Sequence, residues 1–256
     1  MDQETKIPPP FHSLLVSRRE ELATLHGYPL SELAAIISDV GFRCDCCAHC
    51  CTREFNGHVL LLDEDIIRIR ACAPEALEPV PFLDFCDQHE TYYTSGYTIR
   101  SQEDPEQSCH FLEHRRCRIY EMRPAICRVY PYMLHKEPDE KGNVDWRQIS
   151  GLDRHGEYHT HLSGEEALQS ATETKRFEEA VLDREIAYLE YVGEYFLQHG
   201  LRHVRKKYDD GLRLARQGAD IEVMVYFQGA FERRVIKAGT ALHMTLSGLI
   251  KSGKKG

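Results

Sequence analysis

The sequence predicts an α+β fold in which helices predominate: a small, irregular cysteine-rich metal-binding segment with a minor sheet, flanked by helices. Three observations lead there. Apolar residues recur at helical spacing towards both ends of the chain. Between Phe42 and Gly156, where all ten cysteines fall, short polar breaks replace long periodic runs. Only brief stretches in that middle part have strand character. A chain of 256 residues can bury a hydrophobic core unaided, so metal is not needed merely to hold a miniature fold together.

The elements follow in order. After the Pro8-Pro9-Pro10 break, Leu14, Leu15, Leu22, Leu25, Leu30, Leu33 and Ile37 predict helix over 11–37. His58-Val59-Leu60-Leu61-Leu62 reads as a strand, and Asp63 can cap a helix through Asp65, Ile66, Ile67 and Ile69. Two further strands are expected around Tyr97–Arg100 and Cys109–Leu112. Ser163 and Glu166 form a capping box before an apolar face of Phe177, Val181, Leu182, Ile186, Leu189, Val192 and Phe196, and Gly200 supplies a stop. Leu212, Leu214, Ile221, Val225, Val235, Leu242 and Leu246 predict two or three more helices before a basic tail, Lys251 to Gly256. The organisation expected is an N-terminal helical segment over 1–37, a cysteine-cluster domain over 38–161 and a helical region over 162–256.

A formal net charge of −9 argues against a nucleic-acid footprint, which shows as a basic domain or stripe. No run approaches the ~18 to 20 apolar residues of a membrane helix, and the opening MDQETKIPPPF lacks the pattern of a signal peptide. A cytoplasmic protein with a protein, peptide or small-molecule partner is expected. Ten cysteines in a reducing compartment stay free thiols rather than a disulfide framework, and thiols packed this closely point to metal.

The strongest signal is Cys44-x2-Cys47-x2-Cys50-Cys51, within FRCDCCAHCCTREF. Two-residue gaps let successive thiolates curl around one centre, as in ferredoxin loops that a remote cysteine completes. The remote candidates are Cys109, Cys117 and Cys127. Adjacent Cys50 and Cys51 are expected to diverge, with one facing a second metal. Seven thiols are one short of two closed four-ligand sites, and an open position is the mark of a catalytic metal. Histidine can supply the missing ligand: His49, His110, His114, His155, His159 and His161 all lie near the thiols in sequence, although a solvated or hydrogen-bonded imidazole is the plainer reading of each.

The second block, CRIYEMRPAICRVYPY, sets Cys117 on a loop and Cys127 one turn into a short helix, because Pro124 suits a first helical turn. Arg115, Arg116, Arg118, Arg123 and Arg128 make this stretch basic, which favours thiolates and can equally bind an anionic ligand. Ion pairing with Glu113 and Glu121 is the blander account of the others. Arg123, Arg128 and Tyr120, inside the block, are the candidate cofactor-binding side chains. Cys46, Cys72 and Cys86 read as buried free thiols acting as small hydrophobes.

Both blocks resemble the YkgJ-type cysteine-cluster family, a zinc- or iron-chelating domain defined by Cys-x2-Cys-x2-Cys-Cys and a later Cys-x-x-Tyr-x-x-Arg-Pro-x-x-Cys-Arg-x-Tyr-Pro. They map onto Cys44, Cys47, Cys50 and Cys51, then onto Cys117, Tyr120, Arg123, Pro124, Cys127, Arg128, Tyr130 and Pro131. Cys109-His110-Phe111-Leu112 is similar to the family's intermediate Cys-x-Phe-Leu. The resemblance spans about residues 38 to 156 and leaves the helical remainder unexplained. Many relatives carry another cysteine after the second block; the comparable stretch here, ISGLDRHGEYH, has none, which directs attention to His155 or His159 as eighth ligand. One branch resembles flagellin lysine N-methylases, implying an iron–sulfur cluster, [4Fe-4S] first, and S-adenosylmethionine. The latter rests on analogy alone, since neither Gly-x-Gly-x-x-Gly nor Cys-x3-Cys-x2-Cys occurs.

Three functions compete on these residues. The first is an iron–sulfur enzyme acting on a protein or peptide, its cluster held by Cys44, Cys47, Cys50 and a distal cysteine. The second is a non-catalytic zinc or iron module that stabilises the fold or handles metal. The third is a thiol redox sensor using Cys46-Cys47 or Cys50-Cys51, under which the ligand spacing has no purpose.

Overall fold

The structure, a computed structural model, describes residues 8, 11–53, 57–138, 144–149, 155–237 and 243–244. The chain begins with helices α1 (Phe11–Gly27) and α2 (Leu30–Val40), a 3-10 turn over His49–Cys51 and helix α3 (Asp63–Cys72). Short strands follow: β1 (Leu77–Pro79), β2 (Phe82–Leu83), β3 (Phe85–Cys86), β4 (Tyr92–Ser95), β5 (Tyr97–Ile99), β6 (Leu112–Glu113) and β7 (Arg116–Cys117). Helix α4 (Ala125–Val129), strands β8 (Leu134–Pro138) and β9 (Val144–Ile149), and helices α5 (Gly164–Gln198) and α6 (Arg205–Arg216) come next. Strands β10 (Ile221–Phe227), β11 (Ala230–Ile236) and β12 (His243–Met244) close the described chain. Long helices around small sheets make this a predominantly helical α+β protein.

Local chemistry explains most boundaries. The periodic stretch over 11–37 is two helices, because Pro29 cannot donate to the helical ladder and holds φ −67 and ψ 123 at the start of α2. Gly41 ends α2 at φ 50, with its N–H on the Ile37 carbonyl; a Cβ there would lie 2.2 Å from the Thr160 carbonyl oxygen. The capping box forms as expected: Ser163 N–H donates to Glu166 Oε2 at 2.8 Å, and Glu166 N–H to Ser163 Oγ at 3.2 Å.

Two expectations are corrected. Residues 58–62 are not a strand; only Leu60 makes an isolated bridge. Beyond Gly200, the described chain holds one helix and then a hairpin, not two or three helices. Ile221–Phe227 is rich in β-branched and aromatic residues, its first positions alternate buried and half-buried, and Gln228 and Gly229 both take positive φ (48 and 77) in a two-residue turn. Leu242, Leu246, the Lys251–Gly256 tail and two of the three N-terminal prolines lie outside the described residues.

The described chain divides into two compact units. One comprises 17–65 and 99–184, and the other includes 66–98 and the chain from 185 onward. The first contains every motif cysteine and packs around Leu25, Leu33, Ile37, Val40, Tyr132 and Leu182, with a smaller cluster of Ala125, Val129 and Phe177. The second is built on a four-stranded sheet ordered β11-β10-β4-β3, in which β10 pairs antiparallel with β11 and parallel with β4. Its core is Phe11, Phe85, Tyr93, Tyr188, Val192 and Phe196 with their neighbours. Among the described residues, no helix is long and apolar enough to cross a membrane.

Candidate metal centre

The first cysteine loop is stitched down at both ends. Arg43 and Glu157 exchange backbone hydrogen bonds at 2.8 and 2.9 Å, and Phe42 N–H donates to the Tyr132 hydroxyl at 2.9 Å. At the far end, Cys109 N–H donates to the Cys51 carbonyl at 2.7 Å, and Thr52 bridges Ser108. Between these anchors Cys46 and Ala48 turn left-handed (φ 58 and 69), while Asp45 Oδ1 accepts the Cys47 N–H at 2.9 Å. Cys51 N–H then reaches the Ala48 carbonyl at 2.9 Å and closes the 3-10 turn carrying His49, Cys50 and Cys51.

The later cysteines are placed by backbone pairing in turn. Leu112 N–H donates to the Cys109 carbonyl at 2.8 Å, and Leu112 faces Cys117 across the β6–β7 hairpin. Cys117 is therefore on a strand, not on the expected loop. His114 and Arg115 supply the two-residue connection with φ 48 and 63, a conformation usually left to Asn-Gly. Cys127 sits in α4, which begins right after Pro124 as the sequence suggested. Proline offers no cap for that five-residue helix. Asp65, only 2 % exposed, provides one: its two carboxylate oxygens accept the Ala125 N–H at 3.2 and 3.3 Å, and one also accepts the Leu62 N–H at 3.3 Å.

These placements bring the thiols together. Cys44, Cys46, Cys47, Cys50 and Cys51 from the loop, and Cys109, Cys117 and Cys127 from the later segments, all line one cavity of about 340 Å³. All ten cysteines are free thiols. Cys86 is buried as foreseen, but Cys46 and Cys72 are exposed, and Cys46 joins the cavity wall. The expected divergence of Cys50 and Cys51 does not occur: the 3-10 turn keeps the neighbours close, and the Cys50 thiol hydrogen-bonds to the Cys51 sulfur.

That hydrogen bond lowers the Cys51 thiol to about 7, helped by the Arg123 charge, and raises Cys50. Burial, with neighbouring thiols adding to it, pushes Cys109 up to about 12 and raises Cys117 and Cys127 as well. At neutral pH most of the set is therefore protonated. Among the described residues, no three histidine, cysteine or acidic side chains stand in a metal-holding arrangement. Chelation thus requires the thiols to lose their protons.

Other wall residues sort the remaining candidates. His155, 8 % exposed, lines the cavity with its ring 6.3 Å from that of His49, and burial lowers its pKa, which leaves a neutral imidazole able to ligate. His159 instead places Nδ1 3.2 Å from the Asp39 carbonyl. His58 also lines the cavity, a position hidden from sequence reading by the strand-like run around it. Arg123 stacks over the Tyr120 ring at 4.3 Å, Arg128 donates to the Arg123 carbonyl at 2.9 Å, and Arg115 donates to the Cys47 carbonyl at 3.3 Å; all four side chains face the cavity. Arg118 is the plainer case, pairing with Glu113 at 3.8 Å.

The donor set suits soft or borderline metals, since clustered thiolates select zinc and iron–sulfur centres over magnesium or calcium. Among curated proteins and among solved structures, nothing matches the chain. Residues 43–150 match the family CxxCxxCC, described as a zinc- or iron-chelating domain. The matched segment supplies every thiol of the cavity, the part of the molecule whose chemistry answers to zinc or iron chelation.

Proposed function

We propose that the protein holds an iron–sulfur cluster, [4Fe-4S] first, through the motif cysteines Cys44, Cys47, Cys50, Cys51, Cys109, Cys117 and Cys127, and that the loaded centre serves a reaction on a protein or peptide. One observation carries this reading: eight thiols surround a single cavity of about 340 Å³ with arginines on its wall. A lone zinc with four sulfur ligands at roughly 2.3 Å needs almost none of that space, whereas a cluster of several iron and sulfur atoms needs much more of it. Such a cluster, when bound, supplies electron transfer or a Lewis-acidic iron.

The chain's own residues do the rest. Arg115 and Arg123 offset the negative charge that thiolates gather, and Arg123 helps draw the Cys51 proton off. Arg123, stiffened by its stacking on Tyr120, and Arg128 are the side chains we assign to an anionic co-substrate. S-adenosylmethionine, a net cation, would offer these arginines only its carboxylate, and it enters only by likeness to the flagellin lysine N-methylases. Free thiols in this number persist in a reducing compartment, which supports a cytoplasmic location. The acidic chain is better suited to a protein or peptide partner than to nucleic acid.

A zinc module is the second reading, favoured by the way Cys51, Cys109, Cys117 and Cys127 approach from four separate segments, as in a closed structural site. Anaerobic purification with metal analysis, visible absorption and Mössbauer spectroscopy separates the two. Iron, acid-labile sulfide and visible charge-transfer bands are expected; a colourless protein carrying stoichiometric zinc would overturn the cluster.

A further inference from the structure

The wall of the cavity carries a charge opposite to that of the chain as a whole. Arg43, Arg115, Arg123 and Arg128 line it against one carboxylate, Asp45, whose Oδ1 accepts the Cys47 N–H at 2.9 Å. Arg43 lies near Glu166, so Arg115, Arg123 and Arg128 dominate the charge of this wall. Arg115 donates to the Cys47 carbonyl, Arg128 to the Arg123 carbonyl, and Arg123 stacks on the Tyr120 ring. A carbonyl or a ring holds a guanidinium in place without neutralising it, and most of its five N–H donors stay available. Arg115, Arg128 and Tyr120 are exposed as well as lining the cavity, which places them at its mouth.

Beside these charges the surface is apolar. Among the described residues of the cysteine unit, the large apolar side chains left exposed are Tyr120, Met122 and Leu168, and the first two share the 3-10 turn that leads into Arg123. Tyr120 is 43 % and Met122 57 % exposed. Tyrosine, methionine and arginine are the residue types that protein interfaces concentrate, whereas balancing the charge of a cluster calls for the arginines and not for an exposed apolar pair. The nearby acids are Glu121, within the same turn, and Glu113, which pairs with Arg118 at 3.8 Å. Arg116 precedes Cys117 on β7, and strand alternation puts it on the face away from that cavity-lining thiol.

Resting on the reading that this cavity serves a reaction on a protein or peptide, we propose that its mouth docks an acidic segment of the partner protein. Carboxylates of that segment pair with Arg115, Arg123 and Arg128, and an apolar side chain between them covers Tyr120 and Met122. The anion assigned above to Arg123 and Arg128 is thereby a side-chain carboxylate of the partner. A peptide suits this surface better than a nucleic acid: the chain carries a net charge of −9, so a short, locally anionic stretch can reach the arginines while a long polyanion is repelled around them.

The test uses the full chain, purified anaerobically with its metal, and a fluorescein-labelled peptide of glutamates around a single phenylalanine, with binding read by anisotropy. Binding should weaken as salt rises, and by at least about tenfold when lysines replace the glutamates. Arg115→Glu and Arg128→Glu should each weaken it about tenfold, Met122→Ser about fivefold and Arg116→Glu less than about twofold. Met122→Ser changes an exposed side chain and keeps the test decisive should a charge reversal on the cavity wall upset the fold, which the melting temperature of each variant reports. Equal binding of the glutamate and lysine peptides, equal losses for Arg116→Glu and Arg128→Glu, tighter binding of a single-stranded oligonucleotide, or self-association of the chain that Met122→Ser abolishes would overturn the docking site. The cluster reading fails by a different result: a colourless, zinc-loaded protein that still binds the peptide refutes the cluster and keeps the docking site, whereas a protein with its iron and sulfide that ignores the peptide does the reverse.

Discussion

The two units differ in what fills their centres. In the unit built on β3, β4, β10 and β11, aromatic rings interlock: Phe11 lies 4.5 Å from Phe85 and 5.1 Å from Phe196, and Tyr93 lies 4.8 Å from Phe196. Two of its tyrosine hydroxyls bond internally, Tyr93 donating to Asp87 at 2.8 Å and Tyr208 to the Leu83 carbonyl at 2.6 Å. The cysteine unit has apolar clusters too, but around its motifs there is a thiol-lined cavity, and Cys46, Ala48, His114 and Arg115 hold left-handed backbone. Each such non-glycine residue costs roughly 1 kcal/mol or more. Glu90 and Gln228 take such backbone in the aromatic unit as well, but in the cysteine unit it brackets clustered thiol donors.

Removing the metal is the strongest way to break that comparison. Chelation of the loaded protein, or Cys127→Ser, should cost the cysteine unit several kcal/mol, on the order of what structural metals contribute elsewhere. Hydrogen exchange should rise across 17–65 and 99–184 while strands β4 and β10 stay protected; equal loss of protection in both units would refute the contrast. The reverse experiment is Gly211→Ala, whose Cβ would stand 1.8 Å from the Tyr92 hydroxyl oxygen that bonds the Lys207 and Tyr208 carbonyls. A loss of about 3 kcal/mol, read by denaturant unfolding, is expected with metal content unchanged.

Asp65→Ala sharpens the picture further. It strips the cap from α4 and should cost about 2 kcal/mol. It should also alter the spectrum of the bound metal through Cys127, so an unchanged spectrum would detach Asp65 from the site.

A smaller effect concerns acid. Burial raises the Glu232 carboxyl, but hydrogen bonds from Arg70 and Tyr97 outweigh it and hold the group below its ordinary value of 4.5. Its stabilisation is therefore present above pH 4.5 and lost as pH falls through the lower folded value. With Arg70 about a third exposed, this amounts to under about 1 kcal/mol. Glu232→Gln should flatten that part of the acid-unfolding curve. Smallest of all, Gln228→Asn converts the β10–β11 turn to Asn-Gly and should stabilise by a few tenths of a kcal/mol, measured as a raised melting temperature.

How far these features were readable depended on the distance over which they act. The capping box at Ser163, the stop at Gly200 and the ligand motifs are local, and the sequence showed them directly. The β10–β11 hairpin defeats a helical reading of its isolated apolar positions because the Gln228-Gly229 turn, at positive φ, folds the second strand back on the first. Asp65 looked like the first turn of a helix; its work as the cap of α4 depends on Ala125, 60 residues away. No spacing rule points to His58, and Cys46 interrupts a pattern that the folded loop does not need to respect.

The β6–β7 hairpin sets a gauge for the chain length on either side of it. Side chains alternate faces along a strand, so one residue added to or deleted from the His114-Arg115 turn would swing Cys117 to the opposite face and away from Cys109. The seven residues between those two thiols are thus a ruler, whereas the stretch from Cys51 to Cys109 is held along its length, by the Asp65 bonds to the start of α4 and by β4 in the four-stranded sheet. Grafting this centre into another protein would have to carry both the ruler and the Asp65 cap across intact.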